Sequence, residues 1–254
     1  MERKHRVAAI VDPFVPAEVS NVSGAPVYRD IADADARTSL NEADAAIEFT
    51  RPESALANML ALIERRIPTV VGTTGWLDRL EEIRRAVEAA GTSLVWASNF
   101  SLGVNLFYRV AAYAARLMDP FPEYDVGGWE GHHNKKADSP SGTARTLVER
   151  VLAEMTRKTT PVWGTPDNPP RADEIHYASL RVGAMPGVHT LIFDSPADTI
   201  EITHTLRNRE GLAAGTLKAV EWLVRPGKDG RPNPEKRRGV FTREDILAEI
   251  LDKD

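Results

Sequence analysis

The sequence predicts an α/β protein with a parallel-sheet domain and a second, α+β domain that holds a mixed sheet. Between residues 45 and 97, short apolar runs alternate with helical patterns, an alternation typical of parallel sheets. Between residues 175 and 204, three strand-like runs follow one another closely, which indicates a mixed or antiparallel sheet. A chain of 254 residues is long enough for two such domains.

Composition narrows the class of protein. Hydrophobic residues make up 42% of the chain, enough for a real core, and charged residues make up 27% with a net charge of −5. This balance does not indicate a nucleic-acid partner or an anionic membrane. The absence of cysteine excludes disulfides and thiolate chemistry. With no signal-peptide pattern after Met1, we expect a cytoplasmic protein.

The chain begins with an apolar run, Val7–Val11, that predicts a buried parallel strand. Asp12 ends this run, at the position where dinucleotide-binding folds contact the adenine ribose, so it is a cofactor candidate. Such a fold normally begins with an earlier strand and a Gly-x-Gly-x-x-Gly turn. Only six residues precede Val7 and none is glycine. Without the central first strand, the strands on either side of it would lack a partner.

Three strands and two helices alternate in the next part of the chain, and two loops follow at strand ends. The predicted strands are Ala45–Phe49, Thr69–Gly72 and Ser93–Ala97, and the helices begin at Pro52 and Leu77. Ligands of parallel sheets bind at the carboxyl ends of the strands. The loops at those ends are Gly72-Thr73-Thr74-Gly75 and Ala97-Ser98-Asn99-Phe100-Ser101. Plain turn formation is the alternative interpretation.

The segment Glu130–Ala144 holds most of the reactive side chains. Ser141 lies where a helix would begin, so the backbone N–H groups of Ser141, Gly142 and Thr143 are expected to be unpaired and to form an anion seat. Lys136 adds a cation, and His132 and His133 can exchange protons near neutral pH. A surface pair of histidines, a metal site and a simple helix cap are the alternatives. We expect no metal site, because adjacent histidines point apart and no third ligand stands at a suitable spacing.

The rest of the chain supplies the second domain and the return to the first. We expect a helix over Gly103–Met118, a strand over Tyr124–Trp129 and a loop over Thr159–Ala172. Core or turn positions are expected for His189 and His204. Later elements are strands Ile175–Val182, His189–Phe193 and Thr199–His204, helix Gly211–Val224, a solvated basic loop Arg225–Arg238 and a last helix opened by Thr242 and Asp245.

The string His-His-x-x-Lys-x-Asp-x-Pro-Ser-Gly-Thr-Ala, beginning at His132, resembles the signature of the dihydrodipicolinate reductase family. The resemblance implies that His132 and Lys136 are the catalytic pair. It also implies that His133, Ser141, Gly142 and Thr143 hold the carboxylate of a cyclic dicarboxylate substrate. The two loops at strand ends resemble the family's nicotinamide-side loops, which makes the following residues cofactor candidates: Gly72, Thr73, Thr74, Ala97, Ser98, Asn99, Phe100 and Ser101.

The same resemblance implies a Rossmann-like domain over residues 1–103 and 213–254, and a substrate-binding and tetramerisation domain over residues 104–212. NADPH or NADH would be the cofactor, and the protein would be a homotetramer. The missing glycine turn departs from the family pattern, so we expect an N-terminally truncated sequence. A non-catalytic dicarboxylate-binding relative and a metal-dependent hydrolase using His132, His133 and Asp138 remain as alternatives.

Overall fold

The computed structural model describes residues 5–225 and 237–251, without the side chains of residues 34–37 and 251. Most of the predicted basic loop therefore lies outside the described residues. The chain divides into two units. The first unit contains the described residues up to Phe100 and those from Thr216 onward, and the second contains Ser101–Gly215.

The strands and helices of the described residues have the following bounds in chain order. The strands are β1 Ile10–Val11, β2 Asn21–Val22, β3 Ala25–Tyr28, β4 Ala46–Glu48, β5 Thr69–Val71, β6 Ser93–Trp96, β7 Asp125–His132, β8 Thr160–Trp163, β9 Glu174–Arg181, β10 Val188–Asp194, β11 Thr199–Thr205 and β12 Gly239–Thr242. The helices are α1 Ala34–Asn41, α2 Pro52–Glu64, α3 Leu80–Ala90, α4 Leu102–Met118, α5 Gly142–Glu154, α6 Glu210–Leu223 and α7 Arg243–Leu251. None of these helices combines the length and apolar character needed to cross a membrane.

A four-stranded parallel sheet in the order β12–β6–β5–β4 forms the centre of the first unit. Helices α2 and α3 contribute Met59 and Ile83 to an apolar cluster with Val71 and Leu94 of the sheet. Val70 and Val95 point to the other face and join a second cluster with side chains of α6 and α7. Helices therefore cover both faces of the sheet, which is the predicted Rossmann-like arrangement.

The apolar run at the start of the chain differs from its prediction. Its strand is only Ile10–Val11, and it pairs in parallel with β3 in a separate small sheet, where β2 also pairs with β3. Val7 is 57% exposed rather than buried. Strand β4 is an edge strand of the parallel sheet in the described part of the chain, and its Ile47 is 49% exposed. Neighbours on both sides would be needed to bury this run.

A five-stranded mixed sheet in the order β11–β10–β7–β9–β8 forms the second unit. Strand β9 runs parallel to β7 and β8, whereas β10 runs antiparallel to β7 and β11. Helices α4 and α5 pack on one face, where their Phe107 and Leu147 share an apolar cluster with Tyr177, Leu191 and Phe193. The sheet of the second domain is mixed, as predicted.

Two strands and one boundary differ from the sequence prediction. Strand β8 lies inside the predicted loop Thr159–Ala172, and β12 precedes the last helix. Both are edge strands of four residues. Pro161 is tolerated in β8 because an edge strand needs ladder hydrogen bonds on one side only. Strand β7 continues to His132 instead of ending at Trp129, and this extension determines the site described next.

Candidate active site

Strand pairing brings five polar side chains of the second unit together on one face of the mixed sheet. Ser179 of β9 and His189 of β10 lie directly opposite Glu130 of β7, on its two sides. Arg181 of β9 lies opposite His132, two residues further along β7. Because side chains on a strand alternate with a period of two, all five point to the same face. That face is the one covered by α4 and α5.

Glu130 is fully buried and carries three hydrogen bonds on one oxygen. Its Oε1 accepts from the backbone N–H of Ser141, the hydroxyl of Ser179 and Nη2 of Arg181, each at 2.9 Å. Burial alone would raise the pKa of this carboxyl, but the hydrogen bonds from Ser141, Arg181 and Ser179 outweigh burial and lower its pKa to about 2. Glu130 is therefore an anion at neutral pH.

The imidazole of His132 lies against the other oxygen of Glu130. Nδ1 of His132 is 3.1 Å from Oε2, although the angle is less favourable than that of a regular hydrogen bond. Neither atom has another hydrogen-bond partner among the described residues. Burial lowers the pKa of His132, the carboxylate of Glu130 acts in the opposite direction, and the cations of Lys136 and Arg181 lower it further. A neutral imidazole that can accept a proton results.

A second buried histidine packs on the first. The rings of His132 and His189 are 5.2 Å apart in an edge-to-face arrangement. His189 is 3% exposed, and burial lowers its pKa to about 4, so it is neutral at physiological pH. His204 lies opposite His189 on β11, and its ring packs against Phe107. His189 and His204 were both expected in the core or in turns. His189 is buried in the core, where it lies directly beside His132.

The start of α5 differs in one respect from the anion seat expected there. Ser141 caps the helix, since its hydroxyl accepts from the N–H of Ala144 at 3.1 Å. The expectation that the N–H of Ser141 is unpaired is wrong, because this group donates to Glu130. The N–H of Gly142 faces the carboxylate of Asp138 and contributes to lowering the pKa of that carboxyl. Thr143 is the third residue of the expected seat and is half-buried.

The loop between β7 and α5 carries the remaining predicted residues. Nζ of Lys136 is 2.6 Å from Oδ1 of Asp138, and this hydrogen bond lowers the pKa of Asp138. Nη2 of Arg181 donates to the carbonyl of Asp138 at 2.7 Å and so ties this loop to the sheet. His133 is half-buried, and its carbonyl accepts from the N–H of Lys136 at 3.1 Å. The carboxylate of Asp138 thus contacts Lys136, one of the two residues that were predicted to be catalytic.

A glycine lies close to the second nitrogen of His132. A Cβ added at Gly187 would lie 3.3 Å from Nε2 of His132, and the φ angle of Gly187 is +128°. Any side chain here would be strained and would crowd Nε2. The glycine therefore leaves this nitrogen accessible.

In the first unit, the structure places both predicted cofactor loops at the carboxyl edge of the parallel sheet. The N–H of Ala97 donates to the carbonyl of Val71 at 3.1 Å, so the loop after β6 begins next to the loop after β5. In the loop after β5, Gly72 and Thr73 are partly buried and Thr74 is exposed. In the loop after β6, Ala97 and Phe100 are buried, Asn99 is half-buried and Ser98 is exposed. Asp12 directly follows β1 of the separate three-stranded sheet, and its Oδ1 accepts from the N–H of Phe14 at 2.9 Å.

Two buried polar atoms without hydrogen-bond partners test whether a dinucleotide fits at the carboxyl edge of the parallel sheet. The hydroxyl of Thr73 and Oε2 of Glu48 are buried at the ends of β5 and β4, and neither has a hydrogen-bond partner among the described residues. Such groups are costly unless a ligand or water satisfies them. The loops therefore fit a ligand with hydrogen-bonding groups. Ser101, the last cofactor candidate, is buried and caps α4 in the second unit.

A metal could in principle be held by Glu130, His132 and His189. Each offers a ligand atom, and these atoms lie within 4.8 Å of one another in the described part of the chain. The guanidinium of Arg181 already contacts the same carboxylate, and a second cation there would be opposed by its charge. These three residues also differ from His132, His133 and Asp138, which the metal-dependent hydrolase alternative would use. We assign no metal to it.

Sequence reasoning did not assign roles to Glu130, Ser179 and Arg181. One signal was available, because Glu130 and His132 are two residues apart and share a face if the strand continues to His132. Ser179 and Arg181 are about fifty positions away, and only the register of β7 with β9 brings them to the site.

Taken together, these observations describe an α/β protein of two units, with two polar loops at a parallel-sheet edge in one unit and a buried cluster of ionisable side chains in the other. Comparison with known families and structures makes the assignment specific. The model of the dihydrodipicolinate reductase N-terminus matches residues 3–100, and that of the dihydrodipicolinate reductase C-terminus matches residues 103–247. The chain belongs to the dihydrodipicolinate reductase family.

Individual relatives agree with this assignment. The chain is 37% identical over 210 residues to the 4-hydroxy-tetrahydrodipicolinate reductase of Christiangramia forsetii, covering 83% of this chain and 82% of the relative. It is 38% identical over 216 residues to the enzyme of that name from Chromobacterium violaceum, covering 83% and 75%. A dipicolinate-bound dihydrodipicolinate reductase from Paenisporosarcina sp. TG-14 shares the fold, with a TM-score of 0.66, 19% identity and coverage of 87% and 79%.

Proposed function

We propose that this chain is an NAD(P)H-dependent reductase that converts 4-hydroxy-tetrahydrodipicolinate to tetrahydrodipicolinate, in the diaminopimelate route to lysine. The observation that carries the proposal is the His132 imidazole, neutral and held against a buried carboxylate in the family's signature segment. Both family models and the curated relatives support the same activity.

Within this proposal, the two units divide the work. Residues 1–103 and 213–254 bind the nicotinamide cofactor, and residues 104–212 bind the substrate. The cofactor would be held by the two loops at the sheet edge and by Asp12. The residues of the two loops are Gly72, Thr73, Thr74, Ala97, Ser98, Asn99, Phe100 and Ser101. The bound reduced nicotinamide supplies the hydride.

The residues of the second unit orient the substrate and supply the proton. One carboxylate of the substrate is bound by His133, Ser141, Gly142 and Thr143. Gly142 and Thr143 lie in the first turn of α5, and the N-terminus of a helix favours a bound anion. This carboxylate displaces that of Asp138 from Lys136. Ser141 contributes through its side chain and by fixing the helix start, since its N–H is occupied by Glu130.

His132 and Lys136 carry the acid/base chemistry. Reduction adds a hydride to one ring carbon and a proton to the neighbouring position. Lys136 neutralises the negative charge of the bound dicarboxylate and donates the proton, and His132 exchanges protons as its partner. Since the pKa of His132 is lowered by burial, its neutral form predominates near neutral pH and it returns a proton easily.

We propose a homotetramer formed through the face of the mixed sheet opposite α4 and α5. Trp129 and Leu180 point to that face, since they alternate with Glu130 and Ser179 along their strands. Leu180 is 49% exposed, and its burial in an interface would remove apolar surface from water. Light scattering after gel filtration tests this proposal, and a monomer at micromolar concentration would contradict it.

The activity is tested by following the absorbance of NADPH or NADH in the presence of the purified protein and 4-hydroxy-tetrahydrodipicolinate. We expect oxidation of the nicotinamide that depends on both protein and substrate. A folded protein that binds dipicolinate but oxidises neither nicotinamide would contradict the enzymatic function and favour a binding protein.

A further inference from the structure

The two carboxylate oxygens of Glu130 have different surroundings. Oε1 is surrounded by three donors, from Ser141, Ser179 and Arg181. Oε2 is buried and has no regular hydrogen-bond partner among the described residues, yet it lies 3.1 Å from Nδ1 of His132. The donors on Oε1 fix the carboxylate in place, so Oε2 is presented to the imidazole at a defined position.

We propose that Glu130 is a positioning residue that accepts the Nδ1 proton of His132 and thereby leaves Nε2 to exchange protons with the substrate. The two atoms are already within hydrogen-bond distance, so only the orientation of the ring has to change for Nδ1–H to donate to Oε2. The proposal rests on the proposed function only in naming the substrate as the partner of Nε2. The orientation itself follows from the positions of Glu130, His132 and Gly187.

The opposite side of the imidazole agrees with this orientation. Nε2 lies beside Gly187, where a Cβ would come within 3.3 Å. The ring therefore has one nitrogen against a buried anion and the other against a residue with no side chain. A carboxylate on one nitrogen fixes the tautomer, so that the other nitrogen is free to take up a proton, and it then stabilises the imidazolium that forms.

Charged or titratable groups face His132 from its own strand, from β9 and β10, and from the loop that follows β7. Glu130 lies on the same strand, Arg181 on β9, His189 on β10, and Lys136 and Asp138 in the following loop. Glu130 and Asp138 favour the protonated form of His132, whereas Lys136 and Arg181 disfavour it. Glu130 has the largest effect among these charges. Removing its charge should therefore change the protonation of His132 more than removing any other.

Glu130 also has a structural role, and the test must separate the two. Its Oε1 fixes the N–H of Ser141 at the start of α5, so a large change could disturb that helix. Glu130→Gln keeps the size and the acceptor oxygen and removes the charge. Ser179→Ala is the matched control, because it removes one donor from Oε1 and leaves the contact between Oε2 and His132 intact.

The experiment is an NMR titration of ¹⁵N-histidine-labelled full-length protein, in wild-type, Glu130→Gln and Ser179→Ala forms, with His132 assigned from a His132→Asn spectrum. We expect the wild-type neutral ring to carry its proton on Nδ1. In Glu130→Gln, the pKa of His132 should fall by about one unit, as loss of a neighbouring carboxylate predicts. The limb of the pH–rate profile that reports His132 should move by the same amount. Ser179→Ala should change the pKa of His132 less than Glu130→Gln does.

Two outcomes would overturn the proposal. One is a wild-type ring protonated on Nε2, and this measurement needs no variant and so remains decisive if Glu130→Gln does not fold. The other is an unchanged pKa of His132 in folded Glu130→Gln. Absence of reductase activity in the wild type would instead refute the proposed function, and would leave the tautomer result unaffected.

Discussion

Acidification should destabilise the second unit through the buried imidazole of His189. This side chain is 3% exposed, and burial lowers its pKa from an ordinary value of 6.5 to about 4. Between these two pH values the unfolded chain binds a proton at this position and the folded chain does not. The free energy of unfolding therefore falls as the pH falls from about 6.5 to about 4.

The magnitude follows from the size of the pKa difference. A difference of about 2.5 units corresponds to about 3 kcal/mol at 1.36 kcal/mol per unit. That is a large fraction of the stability of an ordinary domain. The carboxylate of Glu130 opposes the decrease by favouring protonation of His189, but burial is the larger effect.

Urea unfolding of the wild type and of His189→Leu at several pH values between 7 and 4 measures this contribution. Leucine has a similar volume and does not titrate, so the variant should lose about 3 kcal/mol of the pH dependence. His176→Leu, on the opposite face of the sheet, is the control for loss of an imidazole and should retain the contribution of His189. Equal pH dependence in His189→Leu and wild type would show that burial of His189 does not contribute to acid destabilisation.

Three further predictions concern the substrate site. Lys136→Ala should lower kcat by about 10²- to 10⁴-fold, the usual contribution of a general acid. Lys135→Ala, one residue away, is the control and should leave kcat unchanged. An unchanged kcat in Lys136→Ala would show that Lys136 takes no part in the chemical step. Asp138→Asn should bind dipicolinate severalfold more tightly, as measured by calorimetry, because the carboxylate that competes for Lys136 has been removed. Weaker binding would show that Asp138 instead organises the site. Gly142→Ala should leave the free energy of unfolding unchanged or raise it by up to about 1 kcal/mol, because an added Cβ meets nothing within 4 Å. The dissociation constant for dipicolinate should rise in this variant, and unchanged binding would exclude a close approach of the ligand to this residue.

The sequence was most informative where local patterns decide the structure. The strand–helix alternation over residues 45–97 predicted the parallel sheet, and Ser141 was correctly placed at the start of a helix. Strand β8 was missed because Pro161 and its neighbours are typical of a loop, and only an edge position makes a strand there possible.

The part of the site that could not be predicted depends on strand register. Lys136 and His132 lie within one segment, so the sequence singles them out. The carboxylate that faces His132 was missed because the predicted strand ended before it, at Trp129. Arg181 reaches Glu130 only because β9 pairs with β7 in one particular register, and a shift by one residue would turn it to the other face.

Transfer of a labelled hydride distinguishes a nicotinamide-dependent reductase from a protein that only binds the dicarboxylate. The protein is incubated with 4-hydroxy-tetrahydrodipicolinate and reduced nicotinamide carrying deuterium at C4, prepared with the label on each face in turn. If the chain catalyses direct hydride transfer, one of the two preparations passes its deuterium to the product, as seen by mass spectrometry, and the label does not exchange with water. Product formed without deuterium from both preparations, or no product from a folded protein, would contradict it.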